Sequence, residues 1–150
     1  MSKILIVYAS MSGNTEEIAG LIAEGAKSQG IDVDVKEVMD TNVSDLLEYD
    51  GFLLGAYTWG DGELPDEFLD FYEDMETIDL SGKRAAVFGS GDTSYEHFCA
   101  AVEILEAQAK GAGADIILEG LKIELAPEAA EQDTCRNFGK EFAAALSVTA

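Results

Sequence analysis

This sequence predicts an α/β protein: a parallel sheet with helices on both faces. Two observations carry the prediction. Apolar, β-branched runs recur along the chain, each followed by a stretch whose apolar residues fall at helical spacing. The runs themselves are almost wholly apolar rather than alternating, as strands covered on both faces require. Strands alternating with helices of this length join through right-handed crossovers. A chain of 150 residues is expected to form one domain over residues 1–150, with no room for a second core.

The first run is Ile4–Tyr8, and a helix follows from about Thr15 with Ile18, Leu21, Ile22 and Ala26 on one face. Asn14, with Glu17 three residues on, reads as its N-cap pair, and Gly30 ends it. Val33 and Val35 alternate with acids in a second, more exposed strand. Gly51–Ala56 is the third strand, and Pro65 opens a helix that carries Phe68, Leu69, Tyr72 and Met75 inward. Ala85–Gly89 is the fourth strand; the helix after it places Phe98, Val102, Leu105 and Ala109 on one side and stops at Gly111 and Gly113. Residues 116–125 give the fifth strand, and Pro127 opens the last helix, with Cys135, Phe138, Phe142 and Leu146 inward.

In such folds the ligand lies beyond the carboxyl ends of the strands, where the strand order reverses. The loops leaving strands one, three and four are therefore the candidate site. The first, Ser10-Met11-Ser12-Gly13-Asn14-Thr15, brings hydroxyls, an amide and a glycine to a helix N-terminus, which is an anion site. It lacks the Gly-Lys-Ser/Thr of a Walker loop and the Gly-x-Gly-x-x-Gly of a dinucleotide turn. The second, Tyr57–Leu64, holds Trp59, the one tryptophan of the chain, in a turn rich in glycine and acids. An aromatic at such a loop tip stacks on a planar partner. The third, Gly89–Tyr95, brings small hydrogen-bonding residues and Tyr95 to the start of a helix. Together they describe a slot for a phosphorylated aromatic ring.

Charge narrows the choice of partner. Nine Lys and Arg against thirty Asp and Glu leave −21. Neither a nucleic-acid backbone nor an anionic lipid surface finds a cationic stripe here, so no nucleic-acid or membrane binding is expected. Cys99 and Cys135 are too few for a disulfide framework and read as reduced thiols, and with His97 alone they make no metal site. The apolar start at Ile4 is too short for a signal core and nothing approaches a membrane span, so a cytoplasmic protein is expected.

With three loops in order at the right elements, the sequence resembles the flavodoxins, FMN-containing electron carriers, from Lys3 to about Leu146. Strand five runs through Gly120 without a long insertion, which resembles the short-chain type. The resemblance implies a flavodoxin-like three-layer sandwich, a five-stranded parallel sheet in the order 2-1-3-4-5, with FMN as cofactor. It implies that Ser10, Met11, Ser12, Gly13, Asn14 and Thr15 hold the FMN phosphate and that Trp59 and Tyr95 flank the isoalloxazine ring. Backbone groups of Thr58, Asp92 and Cys99 would meet the pyrimidine edge. The Gly60 carbonyl would accept a hydrogen bond from the flavin N5–H on reduction, a peptide turn that glycine tolerates. Two positions depart from the family pattern: Ser12 replaces a usual Thr and keeps the hydroxyl, and Tyr57 stands where some members have a phosphate-binding Ser.

No Lys or Arg occurs between Lys3 and Lys27, between Lys36 and Lys83, or between Arg84 and Lys110, so all three loops lie in cation-free windows. A phosphate there is held by N–H groups and hydroxyls. Each carboxylate about 10 Å from the flavin opposes an anionic hydroquinone by roughly 0.5–1 kcal/mol at an effective dielectric of about 40. The expectation is a low-potential, one-electron carrier cycling between neutral semiquinone and hydroquinone, a monomer without enzymatic activity. Its partners would be redox proteins with basic patches, a flavodoxin/ferredoxin reductase among them. The same windows argue against an NAD(P)H-dependent FMN quinone reductase, which needs cations for the nicotinamide cofactor's phosphates. A phosphoacceptor domain needs acids after strand one, where Tyr8-Ala9-Ser10 stands. A flavodoxin-like activator of ribonucleotide reductase remains as an alternative.

Overall fold

Strand β1 (Lys3–Ala9) is buried throughout after its first residue, and its side chains divide between two cores. Leu5, Val7 and Ala9 enter one; Ile4, Ile6 and Tyr8 enter the other. This is the period of two expressed in a strand covered on both faces. The structure is a computed structural model, and it describes residues 3–9, 13–57, 66–91, 100–124 and 128–147. In it β1 pairs in parallel with β2 (Asp32–Glu37) on one side and β3 (Gly51–Tyr57) on the other. Strand β4 (Arg84–Gly91) continues the sheet beside β3. The order β2-β1-β3-β4-β5 is the expected one.

The fifth position differs from the single strand expected over 116–125. Two short strands fill it, β5 (Asp115–Ile116) beside Arg84 and Ala85, and β6 (Leu121–Glu124) beside Phe88 to Gly91. Because β3 occupies the other edge of β4 from Arg84 to Ser90, both pieces lie on one edge, with residues 117–120 as the break between them. Gly120 sits in that break against the helix above, where an added Cβ would come to 2.5 Å from Val102 Cγ1.

Helices α1 (Asn14–Lys27) and α4 (Ala129–Ser147) cover the face that carries Ile4, Ile6 and Leu53. Helices α2 (Asp66–Asp74) and α3 (Ala100–Gly111), with 3-10 turns at Val38–Asp40 and Val43–Glu48, cover the other. The inward face of α2, extended by the 3-10 turn Met75–Thr77 that follows it, is Phe68, Phe71, Tyr72 and Met75, the i, i+3, i+4, i+7 set. Leu69 was expected among them but is exposed, one hundred degrees of helix away from Phe68. Phe71 takes its place and meets Phe68 edge-on at 5.6 Å between ring centroids.

Helices α1 and α4 approach through glycine. Gly25 faces the backbone carbonyl of Arg136 and Gly139 faces that of Ile22, and a Cβ on either would overlap the carbonyl. The Arg136 guanidinium then reaches Glu24 at 3.1 Å across the same seam. Gly20, also in α1, is exposed with open space around its missing Cβ. Two glycines of similar sequence context thus have opposite meanings. Gly139→Ala is expected to destabilise by about 1–3 kcal/mol or more through overpacking, whereas Gly20→Ala should stabilise by about 1 kcal/mol from helix propensity. Urea unfolding of the two variants checks this; equal effects would contradict the close approach.

Candidate functional site

The carboxyl ends of the three central strands are brought level by their register. Ala9 lies opposite Ala56, Tyr57 opposite Ser90, and Ser90 opposite Ile123. From β1 the chain runs outward to β2 and then returns to β3 on the other side, so the strand order reverses between β1 and β3. The N-terminus of α1 stands over this reversal, the position at which open α/β sheets bind ligands.

The start of α1 is not capped as expected. Asn14 is its first helical residue, and the N-cap is Gly13, in the left-handed region at φ 91° with no side-chain cap. The first helical bond runs from the Glu17 N–H to the Gly13 carbonyl at 3.0 Å. A left-handed N-cap removes the geometry in which Asn14 could fold back over the first turn, so that turn presents its backbone donors and the positive end of the helix dipole outward. An added Cβ at Gly13 would meet nothing within 4 Å, so the space beside it is open.

Beneath this turn lies a contact not singled out by sequence reasoning. Thr15 Oγ1 and Ser90 Oγ are hydrogen-bonded at 2.8 Å, and both residues are buried. Thr15 begins the inward stripe of α1 that continues through Ile18, Ala19 and Ile22. Ser90 ends the α1-facing row of β4 after Ala86 and Phe88. The helical period and the strand period therefore meet at one pair of hydroxyls. The expected fourth strand stopped at Gly89; the ladder continues to Gly91, and the alternation 86, 88, 90 was the signal that places Ser90 on the α1 face.

Two tyrosines brace the same end. The Tyr8 hydroxyl donates to Glu16 Oε2 at 3.0 Å, and burial, then this carboxylate, pushes its pKa up to about 12. Tyr57 donates to Glu67 Oε1 on α2 at 2.8 Å, which ties the end of β3 to the helix that follows it. The neighbouring acids of α2, Asp70 and Asp74, are exposed and line a cleft of about 650 Å³ with Met39 and Phe71.

Cations are placed elsewhere. Lys83 Nζ donates to the carbonyls of Leu47 and Tyr49, and Arg84 Nη1 to that of Ala145, all at the start of β4. From there to Ser90 is about 20 Å of strand at ~3.3 Å per residue. Lys36 and Lys122 lie toward the carboxyl end but on the outer strands β2 and β6, and Lys122 is ion-paired with Glu103 at 2.8 Å.

Of the residues expected at the site, Gly13, Asn14 and Thr15 are brought together at the start of α1. Ser10, Met11, Ser12, Thr58, Trp59, Gly60, Asp92, Tyr95 and Cys99 lie outside the described residues. Cys135 is buried in the α1–α4 core, where burial raises its thiol to about 11, as suits a packed, unreactive sulfur.

A parallel sheet with an uncapped helix N-terminus at its switch point places the chain in the doubly wound α/β class, whose members bind their ligands at that point. The donors present, backbone N–H groups and a buried hydroxyl pair with open space beyond Gly13, fit a phosphate. Comparison with known proteins agrees. The flavodoxin family model matches residues 6–139. The chain is 56% identical to probable flavodoxin 2 of Bacillus subtilis over 144 residues, 95% of each. It is 46% identical to the flavodoxin of Maridesulfovibrio salexigens over 131 residues, 85% of this chain and 90% of that one. The crystal structure of oxidised flavodoxin 2 from Bacillus cereus superposes with a TM-score of 0.93 at 53% identity, covering 96% of this chain and 99% of that one. The chain belongs to the flavodoxin family, in its short-chain form. Flavodoxins bind FMN and are low-potential electron-transfer flavoproteins, carriers rather than enzymes.

Two outcomes follow from this geometry. Gly13→Ala should cost about 1–2 kcal/mol by forcing a Cβ into left-handed backbone with no steric clash to add to it; a neutral substitution in urea unfolding would contradict the left-handed cap. Tyr8, and Tyr49 through its 2.6 Å bond to Asp34, both have pKa values raised to about 12. Their folded state holds the proton more tightly, so their contribution is complete below about pH 10 and is lost as pH rises from about 10 to 12. Tyr8→Phe and Tyr49→Phe should each flatten that fall in stability; an unchanged slope in both would count against the two bonds.

Proposed function

We propose that this flavodoxin is a one-electron carrier whose FMN works mainly between the neutral semiquinone and the hydroquinone, with its phosphate held without a cation. The supporting observation is the uncapped, open N-terminus of α1 over the Thr15–Ser90 hydroxyl pair. Residues 10–15 would hold the phosphate through backbone N–H groups and the hydroxyls of Ser10, Ser12 and Thr15, with Asn14 supplying its amide. The bound FMN supplies the redox chemistry; the chain supplies binding, orientation and field.

In this reading Trp59 and Tyr95 would cover the two sides of the ring and exclude water. Thr58, Asp92 and Cys99 would present backbone groups to its pyrimidine edge, and the Gly60 carbonyl would accept from the flavin N5–H. The cation-free stretch from 37 to 82 contains Asp61, Glu63, Asp66, Glu67 and Asp70. These acids disfavour added negative charge at the ring and lower the second potential by an amount on the order of 100 mV if several act together.

The exposed carboxylates of Asp70, Glu73 and Asp74 support docking through an acidic rim. The partners of this reading are redox proteins with basic patches, a flavodoxin/ferredoxin reductase on one side and acceptor enzymes on the other. A rim of one sign speeds encounter with such partners and makes the rate fall with salt. The same reading takes the chain as one domain acting as a cytoplasmic monomer. Among the described residues no helix is long and apolar enough to cross a membrane.

Anaerobic stepwise reduction of the purified protein tests this. A blue neutral radical should accumulate before full bleaching, and Gly60→Ala should lower its yield. Bleaching of the yellow protein with no radical stage would point to two-electron chemistry, and an unchanged yield would remove Gly60 from the mechanism. Electron transfer from a reductase should slow as ionic strength rises; indifference to salt would refute the acidic rim.

A further inference from the structure

We infer that Ser90 is a positioning residue for the FMN phosphate, acting through Thr15. This rests on the reading that residues 10–15 hold that phosphate. Ser90 belongs to the third candidate segment but was assigned no contact with the ligand: it is a ladder residue of β4, paired with Tyr57 on one side and Ile123 on the other. Its rigidity comes from that ladder, and its side chain points at α1 because it follows Ala86 and Phe88 in the row that faces the helix.

The argument is one of counting protons. Two hydroxyls carry two protons, and the 2.8 Å bond between Thr15 and Ser90 uses one of them. The bond can run either way. If Thr15 donates, its proton is consumed and the helix N-terminus loses a donor. If Ser90 donates, the Thr15 proton is left for another acceptor at the first turn. A hydroxyl that accepts one hydrogen bond also becomes a better donor in the next. A dianion over the first turn selects the second direction, because a hydrogen bond to a charged acceptor outweighs one between neutral groups. Burial strengthens the selection: with both residues almost inaccessible, water does not compete for either proton.

Ser90 thus recognises the phosphate without touching it, and its effect has a signature that mere packing lacks. It should matter for FMN and not for riboflavin, the same ring system without the phosphate. Apoprotein of the full chain is titrated with each flavin by fluorescence quenching, for wild type, Ser90→Ala, Thr15→Val and the double variant. Thermal unfolding of each apoprotein confirms that it is folded.

Wild type should prefer FMN over riboflavin strongly. Ser90→Ala leaves Thr15 its proton but removes the bond that orients and polarises it, so it should lower FMN affinity roughly threefold and leave riboflavin affinity unchanged. In the Thr15→Val background Ser90→Ala should have no further effect on the preference, because the residue it acts through is gone. Ser90→Cys, nearly isosteric with a weak donor, should fall between wild type and Ser90→Ala. Equal losses for both flavins, no loss for either, or additive losses in the double variant would overturn the role of Ser90. A wild type that binds riboflavin as well as FMN would instead overturn the phosphate reading beneath it.

Discussion

Three strand ends held level are the constraint on which the rest of this molecule depends. The ladder from Ala9 to Ala56 and from Tyr57 to Ser90 sets where the loops leave the sheet, and it does so with backbone bonds that are indifferent to side-chain identity. On that platform α1 is placed by its own core stripe, which begins at Thr15 and is locked to α4 by glycines that admit backbone contact. The helix therefore cannot slide or roll without breaking either the Gly25 and Gly139 approaches or the buried hydroxyl pair. An anion site made of backbone donors needs this rigidity, since N–H groups have no side-chain freedom with which to seek their ligand.

The electrostatic design follows from the same placement. Lys83 and Arg84, at the start of β4, are spent on carbonyls at the amino end of the sheet. Toward the carboxyl end the described cations, Lys36 and Lys122, lie on the outer strands β2 and β6 rather than on the central ones. In the proposed reading a field of this kind would resist extra negative charge on a bound flavin, while the helix dipole and hydroxyls would satisfy the phosphate locally. Affinity for the phosphate and a low reduction potential would then be divided between short-range hydrogen bonds and longer-range charge.

Much of this was legible in the sequence. The apolar runs located β1, β3 and β4, because burial on both faces leaves an unmistakable pattern; alternation with acids located the exposed β2, and helical spacing located all four helices. The fifth position was harder: Gly120 under Val102 interrupts the strand, and nothing in the run 116–125 reveals what α3 presses against it. Leu69 was read as inward, but it lies one hundred degrees from Phe68, and the i, i+3, i+4, i+7 spacing of Phe68, Phe71, Tyr72 and Met75 already selects Phe71. The cap of α1 was misread for a related reason. Asn14 is a good capping residue, yet a left-handed Gly13 moved the helix start one residue earlier. Ser90 was read as one of the small hydrogen-bonding residues of the third loop rather than as strand, because Gly89 and Gly91 flank it, although the alternation from Ala86 through Phe88 already pointed it toward α1.

The most direct test of a phosphate held without a counter-charge is the salt dependence of FMN binding. Apoprotein is titrated with FMN at ionic strengths from low to high, with riboflavin as the uncharged control. A chain carrying −21 and binding a dianion through neutral donors should bind FMN as tightly or more tightly as salt screens the repulsion, while riboflavin stays constant. An FMN affinity that falls steadily with salt, as it would if a Lys or Arg clamped the phosphate, would contradict the account.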